Sequence, residues 1–141
     1  MHFKIVTPER EVFADEVTQV SLMTTMGEIT ILPHHIPLVT NVVPGEIKYK
    51  KNNEELSIAV SGGFAEVRPD GSVVILADTA EHAHEIDVAR AEEAKTRAEK
   101  LMAEARNKDD VDYSALSVKL ERELARLRVG KRYRKFQSSD N

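Results

Sequence analysis

The chain has 141 residues, enough for one ordinary domain or a small domain with an appendage, and this excludes a large multi-domain enzyme. Twenty Lys and Arg against 24 Asp and Glu leave a formal charge of −4, which argues against a nucleic-acid coat held by a basic surface, and the lack of Cys excludes disulfides, thiolate catalysis, zinc fingers and iron–sulfur ligation. The balance of 41% hydrophobic and 31% charged residues is that of a globular protein, and with no Trp its core must be built from aliphatic side chains. Met1 to Val6 runs straight into charged residues, so we expect neither a signal peptide nor a transmembrane helix, and a cytoplasmic protein.

Turn residues crowd the first half. Pro8, Pro33, Pro37, Pro44 and Pro69, with Gly27, Gly45, Gly62, Gly63 and Gly71, all precede residue 72. Between them Ile47–Lys50, Leu56–Val60 and Val73–Leu76 alternate with a period of two and are rich in β-branched residues, as half-buried strands are. Lys51-Asn52-Asn53-Glu54 and Pro69-Asp70-Gly71-Ser72 supply hairpin turns, because Asn, Asp and Gly tolerate positive φ. Gly62-Gly63 reads as a close backbone approach or a bulge. Many short strands with no helical period among them predict an antiparallel β-sandwich or barrel over residues 1–84.

From Glu85 the period changes. Ala91, Ala94, Ala98, Leu101 and Ala105 form one helical stripe, with Asp87 in the first turn, where a carboxylate suits the positive helix end. After Asn107-Lys108-Asp109-Asp110 a second stripe runs Tyr113, Leu116, Leu120, Leu124 and Leu127, and Gly130 reads as its stop signal. Two helices with a short polar connection predict an antiparallel hairpin over 85–141. A seam made mostly of Ala buries little, at about 0.8 kcal/mol per CH₂, so this half should be loosely held.

Arg90 and Arg97 lie seven residues apart, Arg122 and Arg126 four apart, so each pair shares a helix face. Folded together, these faces can offer four planar guanidinium forks to one phosphate-bearing anion; the plainer alternative is ordinary solvated pairs such as Glu93 with Arg97. His34-His35 and His82/His84 read as exposed or capping residues, since neither pair has an obvious third metal ligand. No Gly-rich phosphate loop with Lys is present, and Ser61-Gly62-Gly63 lacks the flanks of a nucleophile elbow, so no catalytic residue is assigned. Arg126, Arg128, Lys131, Arg132, Arg134 and Lys135 run without an intervening acid. The run reads as a solubilising tail or a binding surface, and the acidic whole speaks against nucleic acid.

Four segments in order carry a family resemblance: Val6-Thr7-Pro8-Glu9; Gly27-Glu28-Ile29-Thr30-Ile31-Leu32-Pro33 with His35-Ile36-Pro37-Leu38; Val60-Ser61-Gly62-Gly63-Phe64-Ala65-Glu66-Val67; and Ile86-Asp87-Val88-Ala89-Arg90-Ala91. Through them nearly the whole chain resembles the ε subunit of the bacterial F-type ATP synthase. The resemblance implies a ten-stranded sandwich bound to the γ subunit and facing the c ring through Glu28 and His35 on loops, followed by a regulatory hairpin that inhibits ATP hydrolysis. It implies ATP as a regulatory ligand, with or without Mg²⁺, held by Glu81, Ile86, Asp87, Arg90, Ala91, Arg97, Arg122 and Arg126. It further implies that Arg126, Arg128, Lys131, Arg132, Arg134 and Lys135 press on acidic loops of the α and β subunits. The protein would be a non-catalytic subunit at the cytoplasmic face of the cell membrane, neither inserted in the bilayer nor bound to nucleic acid; a free-standing ATP sensor of the same architecture is the alternative. Family members commonly have Gly where this chain has Thr30 and His34. His tolerates positive φ, whereas Thr30 should sit in an ordinary strand.

Overall fold

A computed structural model describes residues 1–105 and 113–139. Ten strands occupy the first half: β1 (His2–Val6), β2 (Glu11–Glu16), β3 (Gln19–Thr24), β4 (Gly27–Ile31), β5 (Leu38–Val42), β6 (Gly45–Lys51), β7 (Glu54–Val60), β8 (Gly63–Val67), β9 (Val73–Ala77) and β10 (Ala80–His82). Their hydrogen bonding runs β10-β7-β6-β3-β5-β8-β9-β1-β2, with β4 also paired to β3. β3 is the joint. It pairs along its length with β4 and through Gln19–Ser21 with β6, but meets β5 only at Thr24 opposite Val42, so the ladder folds there into two layers. One pairing departs from the expected antiparallel order: β1 lies parallel to β9.

The core fills the space between the layers. Phe3 and Ile5, Val20 and Leu22, Ile58 and Val60, and Val73 and Ile75 each stand two apart on a strand and are buried, as the two-residue period requires. Phe3, Phe13 and Tyr49 close one end, with ring centroids 4.6 to 5.7 Å apart. Asn52 (φ 52°) and Asn53 (φ 64°) make the expected left-handed turn between β6 and β7, and His34 (φ 69°) takes the positive φ foreseen for it. Thr30 lies within β4, its hydroxyl 2.8 Å from that of Ser21. At Gly63 a Cβ would come within 1.9 Å of the Leu76 carbonyl oxygen, so glycine alone lets β8 approach β9 there.

A 3₁₀ turn (Ala83–Glu85) leads to two helices, α1 (Val88–Ala105) and α2 (Tyr113–Ser139). Asp87 is the N-cap of α1 rather than part of its first turn: its Oδ1 accepts the Arg90 N–H at 3.2 Å. Ala91 and Ala98 of the predicted stripe are buried against α2, whereas Ala94 is half-buried and Leu101 is exposed. The polar connection expected at 107–110 lies outside the described residues. α2 has two buried faces, one toward α1 and one toward β6 and β7, and this explains why Glu123, Ala125, Leu127 and Val129 are all buried while Leu116, Leu120 and Leu124 are half-buried.

Gly130 does not end the second helix, which continues to Ser139. The glycine is buried where α2 meets the start of α1, and a Cβ would lie 2.8 Å from Val88 Cγ2 and 3.1 Å from Ile86 Cγ2. It is a packing notch.

Glu85 fastens the 3₁₀ turn to the sandwich. Its carboxylate accepts the His82 N–H at 3.0 Å and pairs with Arg10 at 3.1 Å. Burial alone would raise its pKa, but the His82 hydrogen bond and Arg10 outweigh that and hold the group below the usual glutamate range. Because the folded value is the lower one, the stabilisation is present above the unfolded value near 4.3 and is lost as pH falls through the folded value. A carboxylate titration followed by NMR should therefore show a Glu85 midpoint below the ordinary glutamate range, and Glu85→Gln should flatten the acid limb of the stability profile.

Candidate functional site: a charge-compensated seam under the second helix

Register sets the site. Glu81 of β10 faces Ala59 of β7, which faces Glu46 of β6, so the three form one row across the strands. Their neighbours Ile47, Ile58 and Val60 point into the core, so the row projects outward, beneath α2. Two inter-strand steps span about 10 Å, and six residues of helix rise about 9 Å. Arg126 and Arg132 are six residues apart. The match lets Arg126 Nε donate to Glu81 Oε2 at 2.6 Å and Arg132 Nη1 to Glu46 Oε1 at 2.5 Å. Between these acids Ala59 is small enough for the helix to lie close, and it is buried with Ile86, Val88, Ala91, Leu127 and Val129.

A third carboxylate comes from the helix itself. Glu123 is 1% exposed; its Oε2 accepts Arg126 Nη1 at 2.8 Å, and its Oε1 accepts Arg122 Nη2 at 3.3 Å and Nε at 3.4 Å. Burial would lower the pKa of Arg126, but Glu81 and Glu123 outweigh it and hold the guanidinium firmly charged. Arg122, Arg126, Glu81, Thr79, Ala59 and Val60 line a cleft of about 190 Å³. Ligand pockets usually measure about 300–1,000 Å³, so the cleft is too small to enclose a ligand of that class whole.

The arginine set divides. Glu81, Arg122 and Arg126 come together at the cleft, whereas Arg90 and Arg97 do not join them. Each of the latter stands one residue before Ala91 or Ala98, about 100° around the helix from the stripe that packs on α2, and so points away from the seam. The Arg90 side chain is 83% exposed, 3.8 Å from Asp87, and Arg97 lines a shallow groove on the outer side of α1 with Glu93 and Lys100. Ile86 and Ala91 are packing residues of the apolar cluster beneath α2.

The basic run is helical and partly neutralised within the chain, not a frayed tail. Lys131 pairs with Glu92 at 3.1 Å, Arg132 with Glu46, and Arg128 borders a groove that also holds Glu28, Glu46 and Glu121. Arg134 and Lys135 lie on the exposed side of α2. Glu28 sits in strand β4 opposite Met23, not on a loop, while His35 follows the other end of that strand in the 32–37 loop, its Nδ1 2.6 Å from the Ile36 carbonyl oxygen. The rings of His82 and His84 stack at 5.4 Å. Among the described residues no cluster of three His, Asp or Glu is arranged to hold a metal ion, and no helix is long and apolar enough to cross a membrane.

Sequence reading missed three features. Glu123 had a local signal, being three residues before Arg126. Glu46 had none, because its partner lies 86 residues away. The third is an apolar outer face on the layer opposite the helices: register aligns Phe64 with Leu76, with Val39 diagonal to Phe64, and these are 56%, 56% and 71% exposed.

Comparison with known proteins follows the same division of the chain. Residues 1–83 match the family model of the ATP synthase delta/epsilon chain beta-sandwich domain, and 84–131 that of its long alpha-helix domain. The chain is 50% identical over 131 residues to an ATP synthase epsilon chain of Dehalococcoides mccartyi, covering 93% of this chain and 92% of that one. It is 44% identical over 132 residues to that of Halalkalibacterium halodurans, covering 94% and 98%. A chain of the Euglena gracilis mitochondrial ATP synthase shares the fold with a TM-score of 0.72 at 24% identity, over 84% of this chain and 74% of its own length. A chain of the Tetrahymena thermophila central stalk and c ring does so at 0.60 and 17%, over 94% and 95%.

Proposed function

The chain belongs to the ATP synthase delta/epsilon family as an epsilon chain of the central stalk, and from that premise we propose that its sandwich is the fixed part and its hairpin the regulatory arm. The supporting observation is the seam: an Ala-rich hairpin meets the sandwich through a small apolar cluster around Ala59 and through Arg126 and Arg132 on the Glu81–Ala59–Glu46 row. Such a hold is reversible. An arm that leaves the row frees Arg126 and Arg132, with Arg128, Lys131, Arg134 and Lys135, to meet acidic loops of the α and β subunits and restrain ATP hydrolysis. Docking and inhibition thus compete for the same cations. ATP placing its phosphates on Arg122 and Arg126 favours the docked arm by RT ln(1 + [L]/Kd), about 2.7 kcal/mol at one hundred times Kd. The chain carries out no chemistry itself; the synthase it serves sits at the cytoplasmic face of the membrane.

The γ subunit takes the outer face around Phe64, Leu76 and Val39, which lies opposite the hairpin and stays available in either position of the arm. An apolar patch of this kind on a stalk subunit needs a partner. The loop carrying His35, with Glu28 on β4, is directed to the c ring. Phe64→Ala should weaken copurification with γ about tenfold, the effect of one central aromatic anchor, while calorimetric ATP binding stays unchanged. Equal recovery of γ with the parent and the variant would remove this face from the interface. Absence of ATP binding by the parent would remove the nucleotide from the account.

A further inference from the structure

The cleft contains its own anion. A phosphate-binding arginine works by presenting unoccupied N–H forks and net positive charge. Here Arg126 gives Nε to Glu81 and Nη1 to Glu123, while the Nε/Nη2 edge of Arg122 is turned toward one oxygen of Glu123. Two guanidiniums and two carboxylates leave the group without net charge. Glu81 is about one-third exposed and partly screened by water, but the Glu123 side chain is 2% exposed and acts on both arginines at close to full strength.

We propose that Glu123 is a built-in competitor for phosphate: its buried carboxylate occupies the guanidinium edges that a nucleotide's phosphates would take, and so sets a weak affinity for ATP. The inference rests on the reading of the cleft as the nucleotide site. The cost of displacing Glu123 falls on the phosphates alone. It leaves the nucleoside end of the ligand untouched, because Glu123 bonds only to the two arginines among the described residues.

The test is calorimetric titration of the full chain, with and without Mg²⁺, using ATP, tripolyphosphate and adenosine as separate probes. Glu123→Gln keeps the shape and removes the charge; Glu123→Ala removes both and favours the helix. Both variants should bind ATP and tripolyphosphate about ten- to a hundredfold more tightly than the parent, as expected for releasing charged hydrogen-bond donors, with adenosine unchanged. Amide exchange read alongside reports whether the arm is docked. If the parent binds ATP and the docked variants bind it no more tightly, Glu123 is only a brace and the proposal fails while the site reading stands. If both variants undock the arm, the proposal fails equally, since a competitor cannot be the group that builds the site. If neither parent nor variants bind ATP or tripolyphosphate, the site reading fails and carries this inference with it.

Discussion

Arg126→Ala should release the hairpin from the sandwich. The substitution strands two carboxylates, Glu81 on β10 and the buried Glu123, whose remaining contacts are the longer ones to Arg122. Breaking a buried ion pair from one side costs about 3–5 kcal/mol, because the abandoned charge stays out of water. Glu81 is reachable by solvent, so the lower end, about 3 kcal/mol, applies. That is more than a hundredfold in the docking equilibrium. Amide exchange should accelerate across 88–105 and 113–139 and stay slow in the strands; slow exchange in both regions would show that the seam does not hold the arm. Arg126→Lys should restore only part of the loss, since one ammonium cannot reproduce a fork that reaches Glu81 and Glu123 at once.

Gly130→Ala is the second large effect, and its logic is steric. The added methyl would meet Val88 Cγ2 at 2.8 Å and Ile86 Cγ2 at 3.1 Å, and both neighbours are β-branched and stiff at χ1. Overpacking of this kind costs about 1–3 kcal/mol. Alanine also gains about 1 kcal/mol in helix propensity, but that gain belongs to α2 itself, whereas the clash acts on the contact of α2 with Ile86 and Val88. Val88→Ala in the same chain should restore docking by making room. If the single variant docks as the parent does, α2 has shifted freely and the notch sets nothing.

The division of the chain was legible because the apolar period changes from two to three-and-four near residue 85, and the buried Ala91 and Ala98 sit where that period places them. The role of Gly130 was not. A glycine that caps a helix and one that admits a neighbouring helix look alike until the neighbour's position is known. Half of the arginine site was legible through the Arg122/Arg126 spacing, and Glu81 came with the family resemblance. Arg90 and Arg97 share a face as predicted, yet that face is rotated from the Ala stripe, which their positions next to Ala91 and Ala98 already implied. Asp87 was placed one position too far into the helix because an acid suits both the N-cap and the first turn. Glu46 could not be found from sequence at all: its pairing with Arg132 depends on the register of β6 with β7 and on the path of α2 across them.

The most direct test of the arm's role is the rate of ATP hydrolysis by the assembled synthase carrying the parent chain, Gly130→Ala, or a triple variant with Arg128, Arg134 and Lys135 changed to Ala. Gly130→Ala alters no charge and pushes α2 off the start of α1 and thus off the row beneath it, so hydrolysis should fall. The triple variant keeps the seam contacts of Arg126 and Arg132 and removes cations that would face the catalytic subunits, so hydrolysis should rise. Opposite shifts in assemblies with equal content of this chain are the predicted result. Equal rates in all three would contradict a hairpin that regulates by leaving the sandwich.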